Sequence, residues 1–434
     1  LVEKHMGVDS EAYRELPEEK QKELMLNACK SEGIEPENAL FAIDEAHDVS
    51  ARRGVAPSKR SLALKHFGHH SGHYIEATGD PQKSDASEFY SFLHAVAPDK
   101  FNDQEKFIAE YGANTEASKR AFQRAIAPYA FAFATKPTDQ KGRTLKRIDQ
   151  EHYIQPSEKL AQERQRILDD IQTMSSWQSN RWEELKQQHG DGYEPTTEDF
   201  NTAYDDPDVK AAVDRLAAAG WHGMDEDAQR NAIGGQVRAI GGVKRTAMFR
   251  LVHQAPYEDN PKAQWVVEHC LEQHKQGKPG IVFSASSKSA EMLKEEMEKR
   301  GLKVAYIHGG LDSQGKDEQR QFFQEKPEGE AADVLIATDA ARTGVNLTRG
   351  KYVTHYDVPL TGMGFEQRSA RAYRLKQKDN VDVHVPMIDM PEEKLAIARM
   401  HRKSKTADVV KDRTENIDET GLARKIRNAR NQTA

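Results

Sequence analysis

Residues 281–307 read IVFSASSKSAEMLKEEMEKRGLKVAYI, and this stretch decides the fold. Ile281-Val282-Phe283 is a short run of strand formers. Ser287 to Arg300 follows with helical character and stops at Gly301, and Val304 to Ile307 is a second strand-like run. Short β-rich runs alternating with helices imply a parallel α/β sheet. The alternation continues downstream. Ser313 to Gln324 reads as a helix and Val334-Leu335-Ile336 as a strand, and the strands Tyr352 to Tyr356 and Val381 to Val385 flank a helix near Phe365 to Tyr373. With the helix that runs up to His274, residues 262–390 are expected to hold every strand and crossover helix of one complete lobe.

Towards the N-terminus the pattern is sparser. The first 40 residues read as helical and acidic. A short strand, Ala39 to Ile43, runs straight into Asp44-Glu45-Ala46-His47, and a second, His73 to Ala77, ends in Thr78-Gly79-Asp80-Pro81. An aromatic helical stretch spans Ser87 to about Val96. Residues 139–230 are rich in charge and poor in strand-like runs. Leu160, Ile167, Leu168, Ile171 and Met174 fall on one face at helical spacing, and Trp177 and Trp182 follow. Gly190 to Pro195 is a loop signal, and Asp208 to Ala219 a helix stopped by Gly220. The expected division is a first α/β segment over 1–138, a helical insertion and linker over 139–261, a second α/β lobe over 262–395, and a polar basic tail over 396–434.

Composition narrows the function classes. At 434 residues the chain is long enough for about two to three domains. Hydrophobic residues make up 37%, enough for ordinary cores, while charged residues at 31% point to solvated helical stretches. The longest apolar runs, Gly280 to Ala285 and Val334 to Ala337, fall far short of the roughly 20 residues of a membrane span. Two cysteines, Cys29 and Cys270, make no disulfide scaffold and suit a reducing, intracellular compartment. The net charge of −7 argues against a histone-like binder without excluding a local basic groove. The chain begins at Leu1 with no secretory n-region, and is read as a piece of something longer.

Three clusters carry chemistry. Asp44 and Glu45 directly follow a strand, where carboxylates of an open α/β sheet face the ligand crevice. One carboxylate can hold Mg²⁺ through water and its neighbour can position or deprotonate an attacking water; a solvated acidic pair opening a helix is the bland alternative. Arg371 and Arg374 are three residues apart, which on a helix puts both guanidiniums on one face, suited to a γ-phosphate that gains charge in the transition state. Ala337 to Leu347 mixes small and polar residues after a strand, as a loop touching phosphate or nucleotide would. His66, His69, His70 and His73 have metal-like spacing but no accompanying Cys or carboxylate, and Trp177 and Trp182 suit packing of the helices better than base stacking.

Ile43-Asp44-Glu45-Ala46-His47 resembles motif II of superfamily-two helicases, Ala337 to Leu347 motif V, Gln367 to Arg374 the arginine-finger motif VI, and Ile281 to Ser286 motif IV. Thr78-Gly79-Asp80-Pro81 and the aromatics after it, Phe89, Tyr90, Phe92, Phe101, Phe107 and Tyr111, are similar to the corresponding segment of Swi/Snf-type DNA translocases, as is Glu366 to Gln377. The resemblance covers about 39–136 and 262–390. It implies two RecA-like parallel-sheet lobes, the first incomplete, with the helical insertion between them. It also implies ATP and Mg²⁺ as cofactors and double-stranded DNA as partner. By position in the motifs, Asp44 would bind Mg²⁺ through water, Glu45 would activate water, and Arg371 and Arg374 would meet the γ-phosphate. His47, Gly344, Asn346 and Gln367 would contact the nucleotide, and Thr78, Ser284, Thr338 and Arg342 the DNA. The protein would be intracellular, cytoplasmic and DNA-associated.

The chain departs from the family in places. Ala370 and Lys376 stand where Gly is usual, and Ile126 to Lys136 lacks the usual arginines. No Gly-x-x-x-x-Gly-Lys-Ser/Thr occurs; Gly241-Gly242-Val-Lys244-Arg-Thr246 has the residues in the wrong spacing and after motif II. A phosphate loop is therefore expected from an upstream lobe-one segment, in cis or in trans. A catalytically incomplete helicase-like module that binds nucleic acid or a partner is the alternative. A duplex-unwinding or RNA-acting relative is the third reading, against which the aromatic segment argues. The chain by itself is expected to show little or no DNA-stimulated ATPase activity, with turnover restored by a segment carrying the phosphate loop. Phosphate release with duplex DNA is the measurement, and robust hydrolysis by the chain alone would contradict the expectation.

Overall fold

The computed structural model describes residues 12–13, 16–38, 40–43, 73–76, 89–112, 115–126, 128–129, 137–139, 142–217, 224–338, 346–359 and 362–400. They fall into two compact units, one of Leu1–Thr135, Leu360–Glu366 and Ala398–Ala434, the other of Lys136–Pro359 and Gln367–Ile397.

In the first unit, helix α1 (Glu18–Ser31) precedes strands β1 (Leu40–Ile43) and β2 (His73–Glu76), which pair in parallel. Helices α2 (Tyr90–Val96), α3 (Gln104–Tyr111) and α4 (Glu116–Ile126) follow. Their core is built on aromatics read in the sequence, Phe89, Phe92, Phe101 and Phe107, joined by Phe122; all five are buried, and Ile43 packs against them. Phe89 meets Phe122, and Phe101 meets Phe107, edge to face, the arrangement that the ring quadrupoles favour.

The second unit contains a six-stranded, all-parallel sheet in the order β3-β8-β7-β4-β6-β5, so its fold class is α/β. The strands are β3 (Arg147–Ile154), β4 (Gly280–Phe283), β5 (Val304–Ile307), β6 (Val334–Ala337), β7 (Tyr352–His355) and β8 (Val381–Ile388). Every residue of β4, β6 and β7 is buried, as in a sheet covered on both faces. Helix α5 (Glu158–His189) leads into α6 (Pro207–Ala217), α7 (Glu226–Arg238) and α8 (Ile240–His253), after which α9 (Pro261–Lys275) opens the alternating part. Helices α10 (Ser287–Lys299) and α11 (Ser313–Gln324) are the crossovers between β4, β5 and β6, and α12 (Gly362–Ser369) lies between β7 and β8. Val266 and Cys270 of α9, Leu293 and Met297 of α10, and Val282, Ile336 and Tyr352 of the sheet share one core. Gly280 has no Cβ because the Tyr352 ring of the neighbouring strand occupies that space.

β3 corrects the expectation that residues 262–390 hold every strand of the lobe. Residues 147–154, RIDQEHYI, lie in the stretch read as helical insertion, yet they pair along their whole length with β8. As an edge strand with alternating exposure, β3 carries charges that an interior strand could not. The helices after it have their own core, in which Ile167, Ile171 and Met174 of α5 meet Phe200, Val213, Ile233 and Met248. That core is continuous with the lobe through a seam of Leu160, Val252, Ile388 and Met390. Trp177 packs against the helical core, whereas Trp182 is partly exposed.

The seam is fastened by charge. Lys262, fully buried at the start of α9, lies 2.6 Å from the Glu393 carboxylate. The Ile388 N–H of β8 donates to that same oxygen, Oε2, at 3.3 Å, and the other, Oε1, lies 3.5 Å from His253 Nε2 at the end of α8. Arg164 of α5 grips the adjacent Glu392 with two bonds of 3.0 Å. Burial would push the Glu393 carboxyl up, but the Lys262 ammonium and His253 outweigh it and bring it down to about 2. Glu393→Ala would leave a buried ammonium without its partner, and the expected cost is about 3–5 kcal/mol in urea unfolding. Because the folded pKa is depressed, this contribution is present above the ordinary value of 4.5 and fades as pH falls towards 2. The parent's urea midpoint should therefore fall more steeply than the variant's across that window.

Candidate active site

The chain runs from β4 to β5 and β6 on one side of the sheet, then to β7 and β8 on the other. A reversal of this kind opens a crevice at the carboxyl ends of the strands, where α/β sheets bind ligands. Ser284, Thr338 and Asp357 lie just past the ends of β4, β6 and β7, and all three are buried. The Ser284 hydroxyl donates to the Ser286 carbonyl at 3.2 Å, and its N–H donates to Ala337 at 3.0 Å. Thr338 N–H donates to Ile307 at 2.9 Å.

Asp357 organises this layer, and the motif reading did not single it out. It accepts from the Ala285 N–H at 2.5 Å and from Arg368 at 3.2 Å, so one carboxylate joins the end of β4 to α12. Arg368 is itself buried and stacks over the Phe283 ring, 5.7 Å from its centroid. His355, inside the sheet, lies 3.0 Å from the Ser369 hydroxyl. Burial and the nearby Arg368 charge drive its pKa well below the usual value, so it is neutral. The signal for Asp357 was the one used for Asp44: a carboxylate immediately after a strand.

The expectation that Arg371 and Arg374 share a helical face is corrected. Helix α12 ends at Ser369, and both arginines lie in the turns that follow. Arg371, Ala372 and Tyr373 donate to the carbonyls of Arg368, Ser369 and Ser369, so the chain tightens out of the α-helix. The Arg371 carbonyl then accepts from Leu347 N–H at 3.0 Å. Arg371 is buried; Arg374 is exposed and donates to Asn346 Oδ1 at 2.6 Å. Two candidate residues from separate motifs, V and VI, are thereby brought together. Gln367 lies on α12, half-buried. Asp44, Glu45, His47, Thr78, Arg342 and Gly344 lie outside the described residues.

The turn that carries Arg374 is held by Gln377. Its buried amide donates to Gly350 and Ala372 carbonyls at 2.9 and 3.1 Å, and its oxygen accepts from Lys378 and Asp379 N–H. Lys376, before it, has φ of 78°, the one non-glycine residue with positive φ among those described. This is the position where the resembling family has Gly, and the left-handed backbone supplies the physical reason.

No described group of three or more His, Cys, Asp or Glu side chains could hold a metal ion. Of the four closely spaced histidines, His66, His69 and His70 lie outside the described residues, and His73 begins β2. A different cluster lies beside β3, with His384 buried and His152 and His269 half-buried: His152 Nε2 lies 3.0 Å from His384 Nδ1, and the His269 ring is 4.3 Å from that of His384. Burial lowers His269 to about 4 and His384 to about 3, so the cluster is neutral. No described helix is long and apolar enough to cross a membrane.

Residues 261–376 match the helicase conserved C-terminal domain. Over 379 residues the chain is 20% identical to the RNA polymerase-associated protein RapA of Vibrio parahaemolyticus, covering 82% of this chain and 36% of RapA. The chain thus spans little more than a third of that relative's length. The family match spans the stretches read as motifs IV, V and VI. A crystal structure of the C-terminal part of the Fun30 ATPase domain is similar at 11% identity and a TM-score of 0.37, covering 63% of this chain and 98% of its own.

The Lys376 backbone supports a prediction. A left-handed conformation costs a non-glycine residue about 1–2 kcal/mol, part of which glycine gives back as lost chain entropy. Lys376→Gly is expected to stabilise the protein by about 0.5–1 kcal/mol in urea unfolding. An unchanged or lowered midpoint would show that the turn is not strained.

Proposed function

We propose that the chain is part of an ATP-dependent double-stranded DNA translocase of the Swi/Snf type, in which ATP hydrolysis between two RecA-like lobes is coupled to movement on DNA. The observation that carries this reading is the contact of Arg374 with Asn346 within the stretch that matches the helicase conserved C-terminal domain. It sets a permanently charged, exposed fork of donors beside the loop of motif V, as stabilisation of a transferring phosphoryl group requires.

On this reading Arg371 and Arg374 meet the γ-phosphate, and Asn346, Gln367, His47 and Gly344 contact the nucleotide. Asp44 would hold Mg²⁺ through water, which would supply positive charge beside the phosphates. Glu45 takes a proton from the attacking water. A phosphate loop is supplied by a lobe-one segment in cis or in trans. Thr78, Ser284, Thr338 and Arg342 face the DNA and contact its backbone, a mode that weakens steeply with salt. Of these, Ser284 and Thr338 lie just past the ends of β4 and β6, and both are buried.

The test uses the protein supplied with a phosphate-loop segment. Glu45→Gln should retain ATP binding and abolish turnover. Arg374→Ala should lower DNA-stimulated phosphate release by about 10³-fold or more, with DNA affinity at fixed salt largely kept. If both variants hydrolyse ATP like the parent, the protein is a helicase-shaped binding module and not a motor.

A further inference from the structure

A second site, independent of the reading above, lies wholly within the larger unit. A cavity of about 340 Å³ opens between α5, α6 and α8 and the segment that leads from α8 to α9. Its apolar lining includes Leu160, Ile167, Leu216, Ala247, Leu251 and Pro256. The volume is at the lower end of the range for small binding sites, room for one or two large apolar side chains.

The charges around it are unequally satisfied. Lys159 is paired with Asp259 at 2.5 Å, and Arg215 with Asp170 through bonds of 2.5–3.1 Å. Gln254 donates to the Ser286 hydroxyl at 3.0 Å. Two lining cations differ. Arg250 has a single long bond of 3.4 Å to the Leu216 carbonyl, and Lys288 is exposed. Among the described residues, no carboxylate lies within ion-pair distance of either. Lys288 also sits in the first turn of α10, where the helix dipole favours a negative partner.

We propose that this cavity docks a short polypeptide segment of a partner protein, one that inserts a bulky apolar side chain and places flanking Asp or Glu residues against Arg250 and Lys288. The acids of the lining, Glu163 and Asp259, are already paired with Arg166 at 3.6 Å and Lys159 at 2.5 Å, so an apolar floor bordered by Arg250 and Lys288 matches such a segment in both shape and charge. A basic or purely polar segment would leave one of the two requirements unmet.

The probe is a short fluorescein-labelled peptide with a central Leu-Trp pair flanked by Asp and Glu, titrated with the full chain by fluorescence polarisation. Two control peptides carry Lys in place of the acids, or Ser in place of Leu and Trp. The acidic–apolar peptide should bind with a Kd of about 1–100 μM, at least about tenfold tighter than either control. Lys288→Glu, an exposed change compatible with the first turn of a helix, should weaken it about tenfold. Ala247→Trp, which fills the cavity, should abolish it. Should Ala247→Trp fail to fold, the Lys288→Glu variant and the control peptides still decide. Absence of binding, equal binding of the Lys peptide, or no change in folded Lys288→Glu protein would overturn the proposal. So would saturable binding of decanoate with no binding of the peptide, which would mark a small-molecule site.

Discussion

The larger unit is organised around one buried carboxylate. Glu393 is reached at once by the start of α9 through Lys262, by the end of α8 through His253, and by β8 through the Ile388 N–H. Removing charges from water costs several kcal/mol per ion, and only close pairing offsets it. These three elements must therefore arrive together in one geometry. Neutral bonds extend the knot. Asn260 caps α9 by accepting from Ala263 N–H, and its amide donates to the Val252 carbonyl and the Tyr356 hydroxyl. Tyr356 and Ser289 both donate to the His253 carbonyl. Because Asp357 follows Tyr356 directly, the network that fastens the helices to the sheet also sets the depth of the strand-end layer.

The parts of this fold that were legible in the sequence are those stated by local pattern. The central strands are short apolar runs because both faces of a parallel sheet are covered, and the buried stripe of α5 repeats at helical spacing because one face of it meets a core. β3 was not legible, for the converse reason. An edge strand keeps one side in water, so Arg147, Asp149 and Glu151 can stand in it, and the run resembles its charged helical neighbours. Nor could the Lys262–Glu393 pair be read. The two residues are 131 positions apart, among 63 basic and 70 acidic side chains, and nothing local marks which pair is buried.

The candidate site was legible as positions and not as geometry. Motif order placed Asn346, Arg371 and Arg374 near one another in the fold, and the spacing of the arginines suggested a helical face. What ended the helix was tertiary. Arg371 gives its carbonyl to Leu347, Lys376 takes a left-handed backbone, and Gln377 gathers four backbone groups. The bonds of Arg371 to Leu347 and of Gln377 to Gly350 have no signature in residue spacing, because both depend on the loop before β7 returning to the same place.

That geometry makes the two arginines unequal. Arg371 is buried and tied at its own backbone to Leu347, the last residue of motif V. Arg374 stands in water on a turn, and its guanidinium is directed by the side chain of Asn346. An exposed hydrogen bond of this kind is worth little on its own, so it can be exchanged for a stronger one with a phosphate oxygen, to which charge adds strength. On the proposed reading, Arg371 would be a fixed element of the phosphate site and Arg374 the one that changes partner during turnover. Asn346 would then hold Arg374 near its working position in the resting protein. A turn serves this purpose better than a helical face, because a helix would fix both guanidiniums to the same rigid axis and give neither a separate anchor.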